Sequence, residues 1–245
     1  MPILFFSGGI DSTTLAFDLA KHPYRYGVSV TDDTRLTLMH ASRNLFTEST
    51  PKHKGLYELH SAIEAVATYD VELIFVEDPL VSAERKKPPS GGIQTLNPSL
   101  YRYSPDLAAI PYTPGWMAWM AAIASNSCFE RTDQVYNPQQ VFFAHQMNGP
   151  CWEAYDSGTY GNFDSTLEFY ENLNTQAKLC SENVKYRVPF MENRMDKAMV
   201  VQLALELEVP LEKTSSCVEG WMKNCGQCVQ CLARYATFNS LGIKL

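Results

Sequence analysis

Ile3-Leu4-Phe5-Phe6-Ser7-Gly8-Gly9-Ile10-Asp11-Ser12-Thr13 decides how the rest of the chain is read. Four apolar residues stop abruptly at two glycines, which suits a short strand buried on both faces. From Asp11 to Lys21 the apolar residues Leu15, Phe17, Leu19 and Ala20 suit a helix. The glycines therefore sit at a strand-to-helix junction. There they let the backbone turn sharply and bring its amides close to a ligand. The N-terminus of the following helix aims unpaired N–H groups and positive dipole at the same point, which favours an anion such as phosphate. Ser7, Ser12 and Thr13 add hydroxyl donors, so a pyrophosphate can be held without a lysine in the loop. Neither the Walker A lysine nor the glycine spacing of a dinucleotide fold is present. A plain glycine turn feeding a helix is the alternative reading.

Working outward, Tyr24 to Val30 reads as a second strand, Leu36 to Phe46 and Leu56 to Tyr69 as helices, and Val71 to Glu77 as a strand. Strand alternating with helix predicts an α/β fold, a doubly wound and mainly parallel sheet. Glu84 to Pro114 has neither helical nor strand periodicity and is rich in proline and glycine, a long loop that is an active-site lid or an excursion. Helical pattern resumes from Trp116 to Phe129, followed by a strand at Val141 to Ala144 and a polar stretch from Asn148 to Asp164. Asp164 or Ser165 is placed to cap a helix through Phe169 to Ala177, and Asp196 to cap one from Lys197 to Leu207.

The 245 residues carry a formal charge of -7, with 45% hydrophobic and 19% charged residues, an ordinary globular composition. No basic stripe is present to supply the electrostatic affinity that nucleic-acid binding requires, so a small molecule is the expected substrate. No secretory leader and no apolar run near 20 residues is found, so no membrane association is expected. Seven cysteines are present, four of them in Cys217-x7-Cys225-x2-Cys228-x2-Cys231. In a leaderless chain such a cluster points to a metal and to a reducing cytoplasm. Two-residue spacers let thiolates reach one tetrahedral zinc, and four of them leave no open position, so the zinc is expected to be structural. An iron–sulfur cluster is the competing reading. A division follows into a nucleotide-binding domain, residues 1–210, and a small helical zinc-binding appendage, residues 211–245.

Ser7-Gly8-Gly9-Ile10-Asp11-Ser12 after the first strand resembles the signature of the PP-loop ATP pyrophosphatases. Together with the cysteine spacing, it resembles the 7-cyano-7-deazaguanine synthase (QueC) family. The similarity continues through Asp164-Ser165-Thr166-Leu167-Glu168-Phe169, through Asp196-Lys197-Ala198 and the Leu203 to Leu211 ending of that helix, and through Ser215-Ser216-Cys217, Cys225-Gly226-Gln227-Cys228 and Ala233-Arg234 to Phe238. The resemblance implies an ATP- and magnesium-dependent ligase of queuosine biosynthesis. It would convert 7-carboxy-7-deazaguanine and ammonia to the nitrile through an adenylated intermediate, as a homodimer. ATP would lie on Ser7, Gly8, Gly9, Ile10, Asp11, Ser12, Thr13 and Lys197, with Ser7, Asp11 and Lys197 as the catalytic set. Asp11 would help organise magnesium, and Lys197 would sit near the phosphates unless it is a solvated first-turn lysine.

Asp164 would bind a guanine-like edge or merely cap a helix, and Tyr160 would stack on a base or merely pack locally. The chain departs from the family at Trp116-Met117, Ser165 and Thr166, where the family has Arg-Asn, Cys and Arg. These departures imply compensating residues, or a related substrate that is made into an amide or attached to a protein, or a nucleotide-binding subunit without turnover. Among the histidines, which have no metal spacing, His145 at a predicted strand end is the one of interest.

Overall fold

In the computed structural model, the residues described are 2–28, 36–42, 71–77, 121–122, 139–147, 166–180, 183–216, 224, 226 and 229–244. Five parallel strands form one sheet in the order β3-β2-β1-β4-β5: β1 Ile3–Phe5, β2 Leu36–Ser42, β3 Val71–Glu77, β4 Gln139–Phe142 and β5 Val184–Arg187. The helices whose bounds fall among the described residues are α1 Ile10–Lys21, α2 Leu167–Leu179, the short α3 Pro189–Glu192, α4 Lys197–Glu206 and α5 Val229–Ser240. The expected parallel α/β fold is found.

Alternation along the strands sends side chains to two cores. Leu4, Phe6, Leu36, Leu38 and Phe142 pack with Leu15 of α1, Val200, Val201 and Ala204 of α4, and Phe238 of α5. Ile3, Phe5, Met39, Val141 and Phe143 face the other way, toward Tyr170 and Ala177 of α2. Helices thus cover both faces of the sheet, which explains why β1 is apolar throughout. Val200 and Val201 are fully buried, and burying each is worth roughly 2 kcal/mol. That packing fixes α4 against the β1 face and so fixes Lys197 at its start.

Two expectations are corrected here. Tyr24 to Val30 does not begin a strand. Pro23–Tyr26 is a 3-10 turn, closed by Gly27 with φ 67° and by Val28 N–H donating to Pro23 C=O at 3.1 Å. Proline removes a ladder donor, and the left-handed glycine turns the chain away. The second strand instead starts at Leu36, where a helix was expected. Leu36 and Leu38 enter one core and Met39 the other, a period of two that a run of mixed apolar residues does not separate from a helix.

Smaller differences follow the same logic. β4 begins two residues before the expected Val141, and β5 was not expected at all. It is an edge strand with only Tyr186 and Val184 as apolar residues, and Asn174 occupies its outer side. The Asn174 amide accepts from Tyr186 N–H at 2.8 Å and donates to Tyr186 C=O at 2.9 Å. An edge satisfied by a side chain is closed to further pairing. The α2 cap is Thr166, whose Oγ1 accepts from Phe169 N–H at 3.2 Å, in place of Asp164 or Ser165. Asp196 caps α4 as expected, accepting from Met199 N–H at 2.9 Å. Among the described residues no helix is long and apolar enough to cross a membrane. The predicted helix at Leu56 to Tyr69, the loop at Glu84 to Pro114 and the stretch from Asn148 to Asp164 lie outside the described residues, as does all but 121–122 of Trp116 to Phe129.

Candidate functional site

From β1 the chain runs outward to β2 and β3, and β4 then returns to the other side of β1. The crevice beyond the carboxyl ends of β1 and β4 is therefore the topological switch point, where open parallel sheets bind ligands. The glycine turn leaves β1 at this place, and His145 and Gln146 leave β4 beside it.

The turn is held by its own side chains. Gly8 has φ 76°, which glycine adopts without strain. Ser7 N–H donates to Ser12 Oγ at 3.2 Å, the two hydroxyls lie 3.0 Å apart, and Gly9 N–H donates to Ser7 Oγ at 3.3 Å. Ser215 N–H donates to Gly8 C=O at 3.1 Å, and a Cβ on Gly9 would come within 3.3 Å of Ser215 C=O. Ser215 therefore braces the turn, a contact across more than two hundred residues. Gly9 caps α1 without any side-chain hydrogen bond. Ser7 is exposed, whereas Ile10, Ser12 and Thr13 are buried beneath the turn. The Thr13 hydroxyl has no hydrogen-bond partner among the described residues.

Asp11 is the centre of the site. Lys197 Nζ lies 2.5 Å and 2.7 Å from its two oxygens, with the Lys197 side chain 14% and the Asp11 side chain 27% exposed. A cation at a helix N-terminus is opposed by the dipole, so the carboxylate of Asp11 is what balances Lys197 there. Gln146 completes the cluster. With its amide turned so that donors meet acceptors, its nitrogen lies 2.9 Å from Oδ1 and 3.2 Å from Oδ2 of Asp11. Next along the chain, Met147 N–H donates to Met195 C=O at 2.8 Å, which ties the exit of β4 to the residue pair that opens α4.

His145 is half-buried beside this cluster. Its Nδ1 is 2.8 Å from the Tyr170 hydroxyl, and its ring packs against Phe143 and Tyr170. Burial pushes its pKa down to about 4, against the opposing pull of the Asp11 charge, so the imidazole is neutral at physiological pH. On the other side, His40 Nδ1 meets Phe6 C=O at 2.7 Å and ties β2 to the start of the turn. Gln146 was missed in the sequence because a lone glutamine after a strand carries no motif; only the crossover that brings β4 beside β1 reveals it.

Of the four clustered cysteines, only Cys231 is among the described residues. It is fully buried, with its Sγ 3.9 Å from Asn224 Oδ1. The same Asn224 oxygen accepts from Ser216 N–H at 3.3 Å, so the chain next to Cys217 and next to Cys225 is gathered at Cys231. Gly226 has φ 72°, a left-handed backbone conformation that glycine adopts without strain. No cluster of three or more metal-binding side chains occurs among the described residues. Cys217, Cys225 and Cys228 lie outside them, as do Asp164 and Tyr160.

These features define the class: a parallel α/β protein with a braced glycine turn and a compact charge cluster at its switch point. Residues 149–242 match the family model described as queuosine biosynthesis protein QueC, the stretch that holds the motifs from Asp164 to Phe238. A 7-cyano-7-deazaguanine synthase of Methanobrevibacter smithii is 29% identical over 94 residues, 38% of this chain and 40% of that protein. One of Campylobacter jejuni is 42% identical over 64 residues, 26% of this chain and 29% of that protein. These matches cover well under half of either relative's length. A third protein of the same name, from Nitratiruptor, is 27% identical over 250 residues, 99% of this chain and 95% of its own length. That last alignment extends the similarity to the glycine turn.

Proposed function

We propose that the chain is an ATP-dependent carbon–nitrogen ligase that converts 7-carboxy-7-deazaguanine and ammonia to 7-cyano-7-deazaguanine. The observation that carries this reading is the convergence of Asp11 and Lys197 on the glycine turn at the switch point. In the adenylation step, a carboxylate oxygen of the substrate attacks the α-phosphorus of ATP and pyrophosphate leaves. Ammonia then displaces AMP from the acyl carbon to give an amide, and activation of the amide oxygen by a second ATP allows the nitrile to form. Adenylation is needed because the charge of a free carboxylate repels a nucleophile. Ser7, the backbone from Gly8 to Ser12, and Lys197 would hold the departing diphosphate, contributing position and charge stabilisation. The Thr13 hydroxyl is buried below the turn and would contribute through packing instead.

Asp11, a half-exposed carboxylate facing the phosphate position, suits magnesium, which prefers one or two carboxylates together with phosphate oxygens. Cys231, gathered with the neighbours of Cys217 and Cys225, suits a structural zinc, and the thiolate set leaves it no catalytic role. Leu211 and Phe238 share the core of the nucleotide-binding part, so the division at residue 210 is one of function. Cys228→Ser should lower zinc content and solubility together, because metal binding energy here is folding energy. Metal analysis of the purified protein separates zinc from an iron–sulfur cluster.

A second reading is favoured by Thr166. Where the family has an arginine, this hydroxyl is engaged at the start of α2, and threonine does not replace a bidentate carboxylate contact. A related deazaguanine, made into an amide or joined to a protein amine, is therefore the alternative. The test is mass spectrometry of products, with pyrophosphate release measured on ATP, magnesium and 7-carboxy-7-deazaguanine, with and without ammonium. Nitrile formed only with ammonium supports the first reading, and turnover of the acid without ammonium dependence supports the second. No turnover with any deazaguanine, despite ATP binding, overturns both. The homodimer is tested by light scattering of the same preparation.

A further inference from the structure

We propose that Gln146 is a positioning residue that keeps the Asp11 carboxylate aimed at the metal–phosphate position when Lys197 moves to the nucleotide. The inference rests on the proposed magnesium role of Asp11. With the Gln146 amide turned so that its nitrogen faces the carboxylate, Asp11 receives two donors of different kinds, an ammonium from α4 and an amide from the exit of β4. The two differ in what a ligand does to them. The phosphates of ATP attract Lys197, and a divalent cation arriving at Asp11 repels it, so loading separates that ion pair. Gln146 carries no net charge. It can keep one carboxylate oxygen by a hydrogen bond while the other takes up the cation, and it is not driven off by like charge.

The backbone supports this division of labour. Lys197 reaches Asp11 through four flexible carbon–carbon bonds, and its head group can swing. The Gln146 side chain is one bond shorter and ends in a planar amide, and the residue after it is fastened to Met195 by the 2.8 Å hydrogen bond. His145, the residue before it, is held by Tyr170 at 2.8 Å. The amide is thus presented from a segment pinned on both sides. Hydrogen-bond partners that orient a metal ligand in this way generally change metal affinity or activity by about 10- to 100-fold when removed.

The experiment uses the full chain and manganese as the probe, followed by electron paramagnetic resonance, first with manganese alone and then with α,β-methylene-ATP. Gln146→Met keeps length and packing but loses the donor. It should weaken manganese binding in the presence of the nucleotide by about tenfold and lower kcat for pyrophosphate release by about tenfold, with the KM for ATP within about twofold of wild type. A residue that served packing alone would leave all three unchanged in this near-isosteric variant. Gln146→Glu places a second carboxylate beside the first and should tighten binding of manganese alone by about tenfold. Wild-type manganese affinity in both variants overturns the inference. Asp11→Asn separates the two levels of the argument. If that variant binds manganese and turns over normally, the magnesium reading of Asp11 fails and Gln146 falls with it. If Asp11→Asn is inactive while Gln146→Met matches wild type, only the Gln146 inference is lost.

Discussion

Two carboxylates on α1 illustrate how one helix can serve two purposes. Asp11, in the first turn, is 27% exposed and held by the Lys197 ammonium. Asp18, two turns later, is 3% exposed and enclosed by its own neighbourhood: His22 Nδ1 at 2.8 Å, Arg25 at 3.0 Å and the Tyr26 hydroxyl, which donates to the second oxygen. Asp18 is saturated by groups from the 3-10 turn that follows α1, and the chain offers nothing there to a ligand. Asp11 faces the crevice, and its principal partner arrives from a distant helix and can leave. The same side chain is architecture in one case and, in our proposal, equipment in the other. What separates them is whether the partners are local and buried or distant and exchangeable.

The largest effect expected to test this contrast comes from Asp11→Asn. Pyrophosphate release should fall by about a hundred- to a thousandfold, the size of loss seen when a charge-stabilising group is removed from a reacting site. Thermal stability should move by less than about 1 kcal/mol, because a partly exposed ion pair contributes little. Calorimetry beside a pyrophosphate assay reads both. Asp18→Ala should do the reverse, costing about 2 kcal/mol because it strands the buried Tyr26 hydroxyl, while the half-exposed Arg25 turns to water. Activity per folded molecule should be retained. A stable Asp18→Ala protein, or an inactive one at full stability, would break the comparison.

A third prediction concerns pH. His145 has a folded pKa lowered to about 4 from 6.5 by burial, so below pH 6.5 the unfolded chain binds a proton that the folded one refuses. Its contribution is present above 6.5 and is lost as the pH falls toward 4, by an amount on the order of 2 kcal/mol given its partial exposure. Denaturation at a series of pH values should show His145→Gln losing less stability across this window than wild type. The smallest effect sharpens the contrast at α2. Thr166→Ala should cost about 1 kcal/mol, the value of a lost N-cap, and leave the KM for the deazaguanine acid unchanged. A raised KM would make Thr166 a substrate contact and move it from the closed group of side chains to the open one.

Particular residues show where the sequence was legible. The glycine turn after the apolar run Ile3 to Phe6, the Asp196 cap and the run from Val71 to Glu77 all carry local signals, and the structure has each where it was read. Leu36 to Ser42 was misread because its apolar residues satisfy either periodicity, and only pairing with β1 and β3 selects the strand. β5 was invisible because an edge strand needs few apolar residues and its pairing is with β4 alone. Within the candidate site, Asp11 and Lys197 were legible as motif members, but their 2.5 Å pairing and the presence of Gln146 were not.

The amino-acid order alone determined the first strand and the turn after it, the strand from Val71 to Glu77, the capped start of α4 and the clustering of cysteines, since each depends on neighbours a few residues apart. Tertiary structure alone decided which strand lies beside β1, that Ser215 braces Gly8, and that Lys197 and Gln146 close on Asp11. Those contacts join residues far apart in the chain, and their geometry follows from how helices pack on a twisted sheet, which no local pattern encodes.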